Sequence, residues 1–247
     1  SGTRSVYAFW NKAAQSQPAV GAAFGRNAVW PDYLAVQHLN ETVNTTAGGY
    51  VDSTGNGYDG TGVSMALPAV AANFGTAQDF DGSSDLIQIP ETLTDAMATN
   101  NTFVMSAWVN LDNTSGNQAV IGASRSFRKS YFIQAQTSNY IAMVGNTNST
   151  DETANGGGAI ASQWQLLHSV WDGSTLSLYV DGSLLDSITS TETLRTSNSR
   201  PTAIGSISGQ SGNEGDFLDG QVHSVRFLNS VTGWSADRIA SEESNQS

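Results

Sequence analysis

The amino-acid sequence predicts an all-β domain in which two antiparallel sheets pack as a sandwich, followed by a short C-terminal helix. In residues 175–181, Leu, Leu and Val alternate with Thr, Ser, Tyr and Asp, a period of two that is typical of a strand with one buried face. Asp172-Gly173 and Asp181-Gly182 flank this strand, and Asp-Gly is a strong hairpin signal. About a dozen segments of this kind, separated by turn residues, favour a sandwich over alternating strands and helices.

The predicted strands follow one another along most of the chain. Residues 5–10 and 33–39 are the first candidates, and the Ala-rich stretch between them has no sustained amphipathic period, which predicts a loop. Residues 52–62 are dense in Asp, Asn and Gly, as in an irregular loop. The remaining strands are expected at residues 60–66, 77–82, 85–90, 102–111, 118–124, 131–136, 140–146, 157–161, 164–172, 175–181, 184–189, 202–207 and 218–228.

A single helix is expected, and it lies at the C-terminal end of the chain. Ser235 is a suitable N-cap, Asp237 lies in the first turn and Ile239 continues the apolar side. No internal repeat of 20–50 residues is visible, which argues against a propeller or a solenoid. We therefore expect residues 1–247 to form one sandwich domain.

Composition excludes several classes of function. The 22 acidic and 10 basic residues give a formal net charge of −12. The basic residues cluster only at Arg125, Arg128 and Lys129, so the surface lacks the positive patch that nucleic-acid binding needs. The chain has no cysteine, which excludes disulfides and thiolate metal sites.

Other features indicate where the protein works. Charged residues make up 13% of the chain, so Ser, Thr, Asn and Gln must supply most of the polar surface, as in many exported bacterial modules. There is no apolar run of 18 residues, and we expect no membrane insertion by this chain. Because the chain begins at Ser1 without a signal peptide, we expect it to be a fragment of a longer exported polypeptide.

Several weak motifs occur in a fixed order between residues 60 and 240. Phe80-Asp81-Gly82 precedes a hydrophobic strand, residues 103–109 form an apolar strand around a Trp, residues 179–182 read Tyr-Val-Asp-Gly, and residues 220–227 form a closing strand. In this order they resemble the laminin-G-like, concanavalin A-type jelly-roll domains of bacterial exported proteins. The resemblance implies a jelly-roll sandwich and a lectin-like function.

The first 60 residues carry a second resemblance. Residues 28–41 and 50–62 are similar to the C-terminal part of the bacterial domain of unknown function 2341, which commonly precedes a laminin-G-like domain. Some proteins with this pair are associated with biopolymer transport of the ExbB/TolQ type. We expect residues 1–60 to pack onto the sandwich, because so short a segment with few apolar runs buries too little surface to fold alone.

Catalysis is not expected. Glucanases of this fold class place carboxylates at alternate positions of one strand, and the seven Glu residues show no such arrangement. Asp79, Asp81 and Asp85 come closest, but a Gly-Ser-Ser turn interrupts them. The three His residues, at positions 38, 168 and 223, all fall on predicted strands, where a structural role is the usual one.

Calcium is the one cofactor for which the sequence offers ligands. Asp52, Asn56 and Asp59 lie within eight residues, and Asp219 could join them if the ends of the sandwich meet. In the family that the chain resembles, such a Ca²⁺ ion is structural. The alternative is an ordinary loop in which Asp and Asn side chains bind their own backbone.

Sugar ligands stack on aromatic rings, so aromatic residues in loops or at strand ends are candidates for a binding site. The four stacking candidates are Tyr58, Tyr131, Tyr140 and Phe217. Three loops rich in Asn, Ser, Thr, Asp and Gly, at residues 112–118, 145–157 and 208–217, are candidates for a polar rim.

The preferred interpretation is a non-catalytic, lectin-like or adhesion module of a larger exported bacterial protein, located outside the cell, on its surface or in the periplasm. The expected partners are a glycan or cell-surface polysaccharide and other domains of the same polypeptide. Two alternatives stay open. The first is a structural or protein-binding module of an envelope or transport-associated protein, and the second is a divergent polysaccharide-degrading enzyme.

Overall fold

The computed structural model describes residues 19, 21–22, 26–73, 75–123, 130–145, 152–194, 200–208, 212 and 214–244. The strand predicted at residues 5–10 lies outside the described residues, as do parts of the loops at 145–157 and 208–217. A 3₁₀ helix at Arg26–Val29 precedes the first described strand. No helix in these described ranges is long and apolar enough to cross a membrane.

The described residues form fifteen strands and two α-helices. The strands are β1 Ala35–Gln37, β2 Thr61–Val63, β3 Val70–Ala71, β4 Thr76–Asp81, β5 Leu86–Ile89, β6 Phe103–Leu111, β7 Asn117–Gly122, β8 Tyr131–Gln136, β9 Asn139–Val144, β10 Glu152–Gly157, β11 Trp164–Trp171, β12 Thr175–Val180, β13 Ser183–Thr189, β14 Thr202–Ile204 and β15 Asp219–Leu228. The helices are α1 Glu91–Ala98 and α2 Ala236–Ser244.

The strands form two antiparallel sheets. The first has the order β13-β12-β11-β6-β15-β4-β3, with β1 also paired to β15. The second has the order β10-β9-β8-β7-β14-β5-β2. Apolar side chains of the two inner faces share one core, in which the Phe103 ring of β6 lies 5.6 Å from the Tyr131 ring of β8. The predicted all-β, two-sheet antiparallel fold is therefore confirmed.

The segment before residue 64 contributes to both sheets. β1 pairs with β15 in the first sheet, and β2 pairs with β5 in the second. Tyr50, which lies between β1 and β2, is fully buried, and its hydroxyl donates to Gln78 at 3.0 Å. The described part of this segment is thus built into the sandwich.

The two helices differ in how well the sequence indicates them. α2 occurs where it was predicted, and the N–H of Arg238 donates to the Ser235 hydroxyl at 3.3 Å, as expected of an N-cap. The expectation of a single helix is wrong, because α1 forms where no helix was predicted. Its signals are Pro90 at the start, Glu91 in the first turn, and the buried pair Leu93 and Met97 four residues apart.

One predicted strand is misplaced. The strand expected at residues 157–161 is instead β10, at Glu152–Gly157, and it pairs with β9 at the edge of the second sheet. Its sequence, Glu-Thr-Ala-Asn-Gly-Gly, has no apolar alternation because its side chains are mostly outside the core. The strand forms because its backbone pairs with β9, and this pairing is a tertiary interaction that the local sequence does not indicate.

Candidate functional site

Three adjacent strands of the first sheet meet at one end of the sandwich. β15 lies between β6 and β4 and is antiparallel to both, so its start lies beside the ends of the other two strands. Asp219 is paired with Asp81, and Gly220 is paired with Leu111. The strand order therefore brings together the turn after β4, the loop after β6 and the segment before β15.

These segments enclose a polar cleft with a volume of about 240 Å³. The lining combines one aromatic ring with carboxylate, amide and hydroxyl groups, from Asp81, Gly82, Asn113, Ser115, Asn117, Gln118, Phe217 and Asp219. Phe217 is half-buried. The loop at 112–118 and the end of the loop at 208–217 thus lie at the same cleft.

Gln118 holds the floor of the cleft in place. Its side chain is buried, and its amide nitrogen donates to the backbone carbonyls of Asn113 at 3.0 Å and Ser115 at 3.1 Å. Its amide oxygen accepts the backbone N–H of Asp219 at 3.0 Å. The Asn113 side chain also donates to the Asp219 carboxylate. Such pre-organisation lowers the entropy lost when a ligand binds.

Two glycines permit this close packing. Gly82 has a φ of +70°, and a Cβ there would lie 2.9 Å from the Cβ of Asp219. Gly220 has a φ of +145°, and a Cβ there would lie 2.3 Å from the backbone oxygen of Asn110. Side chains at these positions would be strained and would push the three segments apart.

Asp81 is held in its ionised form. Its carboxylate accepts the backbone N–H groups of Ser83, Ser84 and Asp85 and the hydroxyls of both serines, at 2.6–3.0 Å. Partial burial acts to raise the pKa of Asp81, but these hydrogen bonds outweigh it and lower the pKa below its ordinary value. Asp81 is therefore a permanent negative charge and not a general acid.

The pKa of Asp219, which is paired with Asp81 on the neighbouring strand, is shifted in the opposite direction. Burial raises its pKa, and the negative charges of Asp112, Asp79 and Asp81 raise it further, against the hydrogen bond from Asn113. The cleft is consequently an environment in which additional negative charge is disfavoured.

Asp85 follows the Asp81 turn but does not line the cleft, and it is buried. Burial, together with the charges of Asp81 and Asp79, raises the pKa of Asp85 to about 6. A carboxyl whose folded pKa exceeds its unfolded value stabilises the fold below the unfolded pKa, and this contribution is lost as pH rises through about 6. Ionised Asp85 is therefore unfavourable for the fold at neutral pH.

We expect Asp85→Asn to raise the melting temperature by a few degrees at pH 8, because the isosteric amide carries no charge. The advantage should shrink as the pH falls and disappear near pH 4, where the native Asp85 is protonated. Melting curves of both proteins from pH 4 to pH 8 measure this. A difference in melting temperature that is the same at every pH would show that the charge of Asp85 does not cause it.

The predicted calcium ligands Asp52 and Asp59 form hydrogen bonds within their own loop and its neighbouring strand. Asp52 is buried, and its carboxylate accepts the N–H groups of Val36, Thr54 and Tyr58 and the Thr54 hydroxyl, at 2.7–3.3 Å. Asp59 accepts the N–H of Asp52 at 2.7 Å. These contacts match the alternative in which the loop side chains bind their own backbone.

The other two predicted ligands also lie elsewhere. Asn56 donates its amide to the carbonyls of Tyr33 and Leu34. Asp219 is six residues along β15 from Val225, roughly 20 Å at the rise of a strand, and Val225 pairs with Gln37, which is bridged to Asp52. The strand pairing therefore does not bring Asp219 to Asp52. Among the described residues, no three His, Asp or Glu side chains are grouped to hold a metal ion. Calcium binding stays a prediction that melting with a chelator tests.

Of the four predicted stacking residues, the structure places only Phe217 at the cleft. Tyr131 and Tyr140 are fully buried between the sheets, where their hydroxyls bind Thr202 at 2.7 Å and Gln165 at 3.0 Å. Their assignment as exposed stacking platforms is therefore wrong. Both begin an inward-facing alternation, which is the signal that indicates their burial. Tyr58 is half-buried against the edge of the core.

The buried histidine of β11 has a structural role. His168 lies under helix α2, with its Nε2 3.4 Å from the Glu242 carboxylate, which also contacts Arg226 at 3.3 Å. Burial lowers the pKa of His168, although the hydrogen bond and charge of Glu242 oppose this, so the ring is neutral at physiological pH. The group attaches α2 to the first sheet.

Several residues of the cleft were not predicted individually as site residues. Asn113, Asn117 and Gln118 belong to a loop that was selected only for its polar composition. Nothing in that composition shows that Gln118 turns inward while Asn117 stays exposed. The available signal is that Gln118 directly precedes three apolar residues of β7, all of them buried.

Comparison with protein families gives one match. Residues 81–236 match a laminin G model described as the concanavalin A-like lectin/glucanases superfamily. The matched region begins at Asp81 in the cleft and ends in α2, so it includes every residue of the cleft lining. Comparison with curated proteins gives no match.

Solved structures with a similar fold include receptor-binding domains of botulinum neurotoxins. The binding domain of botulinum neurotoxin DC in complex with SialylT is 12% identical, with a TM-score of 0.61, and the match covers 84% of this chain and 51% of that chain. The domain of the C/D mosaic serotype is 13% identical, with a TM-score of 0.62 and coverages of 87% and 51%. The DC domain in complex with rat synaptotagmin II is 10% identical, with a TM-score of 0.62 and coverages of 90% and 53%.

The chain therefore spans about half the length of these toxin domains. At such low identity the similarity shows a shared fold, and a ligand named for a toxin domain is a property of that whole domain.

Proposed function

The chain belongs to the concanavalin A-like lectin/glucanases superfamily, and from this premise we propose that it is a non-catalytic carbohydrate-binding module whose ligand occupies the cleft. The observation that carries the proposal is the half-buried Phe217 ring beside fixed amide, hydroxyl and carboxylate groups. A pyranose ring presents hydroxyls at its edge and C–H groups on its face. The polar groups of the cleft can bind the hydroxyls, and we propose that Phe217 stacks on the C–H face. The binding domains with a similar fold are consistent with such a role.

The carboxylates of the cleft decide how binding and catalysis are to be distinguished. Glycoside hydrolysis needs one carboxylic acid that gives up a proton beside a second carboxylate. Asp81 is held ionised by five hydrogen bonds, and Asp85, whose pKa is raised, does not line the cleft. Asp219 does line the cleft and has a raised pKa, although Asn113 donates to its carboxylate, so Asp219 is the residue whose replacement tests for catalysis. We also propose that the module is exported, in keeping with its weakly charged surface, and fractionation of the source cells tests this.

Affinity should be in the micromolar-to-millimolar range, which one stacked ring and a few hydrogen bonds supply. We expect Phe217→Ala to abolish binding on a glycan array and in titration calorimetry. The melting temperature should change little, because a partly exposed ring contributes little to the fold.

Tyr58→Ala is the matched control, since Tyr58 is a half-buried aromatic outside the cleft lining. It should bind glycans as the unchanged protein does. If the unchanged protein bound no glycan on a broad array, the structural, protein-binding alternative would be favoured. Release of reducing sugar from a polysaccharide panel, lost on replacing one carboxylate, would instead show an enzyme.

A further inference from the structure

We propose that the cleft takes uncharged saccharides and rejects anionic ones, such as sialylated glycans and those that contain uronic acids. This inference rests on the proposed function and names the class of ligand for the same site. Two carboxylates, Asp81 and Asp219, face each other across the strand pairing at the cleft. The part of the lining that the structure describes contains no Lys, Arg or His.

Two further carboxylates lie directly behind the lining. The Gln221 side chain, two residues along β15 from Asp219, donates its amide to Asp79 at 2.8 Å and to Asp112 at 2.9 Å. A neutral amide bridges these two groups and does not cancel their charge. Among the described residues, none of the ion pairs involves these four aspartates.

The neighbouring negative charges affect the pKa of Asp219. Burial and then the charges of Asp112, Asp79 and Asp81 raise its pKa, so a native carboxylate is already disfavoured there. A carboxylate on a ligand would meet the same field. It would also lose water without gaining a cationic partner, which is costly for any buried charge.

An uncharged sugar gains from the same groups. Its hydroxyls can donate to the carboxylate of Asp219, and hydrogen bonds to charged acceptors are stronger than neutral ones. Asn117 and Ser115 can accept or donate at the rim, and Phe217 stacks equally well on charged and uncharged sugars. The aspartates therefore determine the preference for uncharged over anionic saccharides, while stacking on Phe217 contributes affinity for both kinds of saccharide.

The test uses an array of matched glycan pairs, such as lactose with sialyllactose, that differ only by an acidic sugar. For each pair in which either member binds and Phe217→Ala abolishes the binding, the uncharged member should bind at least about tenfold more tightly at low salt. The difference should shrink in about 1 M NaCl, where the Debye length is about 3 Å. A Phe217-dependent acidic glycan that binds as tightly as its uncharged partner would overturn the inference but leave the proposed function in place.

The variant Asp79→Asn/Asp112→Asn separates charge from shape, because neither residue lines the cleft. It should bind uncharged glycans within about twofold of the unchanged protein, while its discrimination against acidic ones falls by about threefold or more at low salt. Undiminished discrimination would mean that shape causes the selection and would contradict the electrostatic account. Absence of any Phe217-dependent binding would refute the proposed function itself.

Discussion

Replacing Trp171 by alanine should lower the free energy of unfolding by about 3–5 kcal/mol, the usual cost of deleting a large buried aromatic side chain. Trp171 is fully buried at the end of β11, paired with Phe103 of β6 and Leu176 of β12. Its removal would leave a cavity that two hydrogen-bonded sheets cannot collapse to fill. Urea unfolding measures the loss, and the melting temperature should fall by roughly 6–20 °C.

Trp171→Phe is the matched control. The indole N–H of Trp171 has no hydrogen-bond partner among the described residues, so phenylalanine removes a buried polar group that gains nothing from its position. This variant should therefore lose much less stability than the alanine variant. Equal losses in the two variants, or a loss under about 1 kcal/mol for alanine, would contradict the position of Trp171 in the core.

Replacing Asp52 by alanine should cost about 3 kcal/mol or more, although no ligand is involved. The buried carboxylate accepts the N–H groups of Val36, Thr54 and Tyr58, and alanine would leave these donors without an acceptor. The loss should be the same in calcium and in excess chelator, because the role is to organise the loop. Chemical denaturation under both conditions is the measurement.

Asp52→Asn is the control for this experiment. It keeps one acceptor oxygen and turns the other into a donor that faces the Tyr58 N–H and the Thr54 hydroxyl, so its loss should be intermediate. If calcium raised the melting temperature of the unchanged protein and either variant removed that rise, the calcium prediction would be supported. The organising role would then be insufficient to explain the loop.

The sequence by itself determined the fold class. Alternation in segments such as Leu176–Leu178 and the Asp-Gly pairs around them are local signals, and local signals are sufficient for a strand or a hairpin. The same is true of α2, because Ser235 caps it through a bond within one turn. The net charge and the absence of cysteine are also properties of the sequence alone, and they exclude classes of function without reference to the structure.

Only the tertiary structure decided which residues meet. Phe217, Asn113 and Asp81 are far apart in the chain, and they share a cleft because β15 pairs between β6 and β4. Tyr131 and Phe217 are both aromatic residues at a strand boundary, yet one is in the core and the other at the cleft. Alternation within β8 places Tyr131 on the same face as Ile133, but which face of a strand meets the opposite sheet is a long-range packing property.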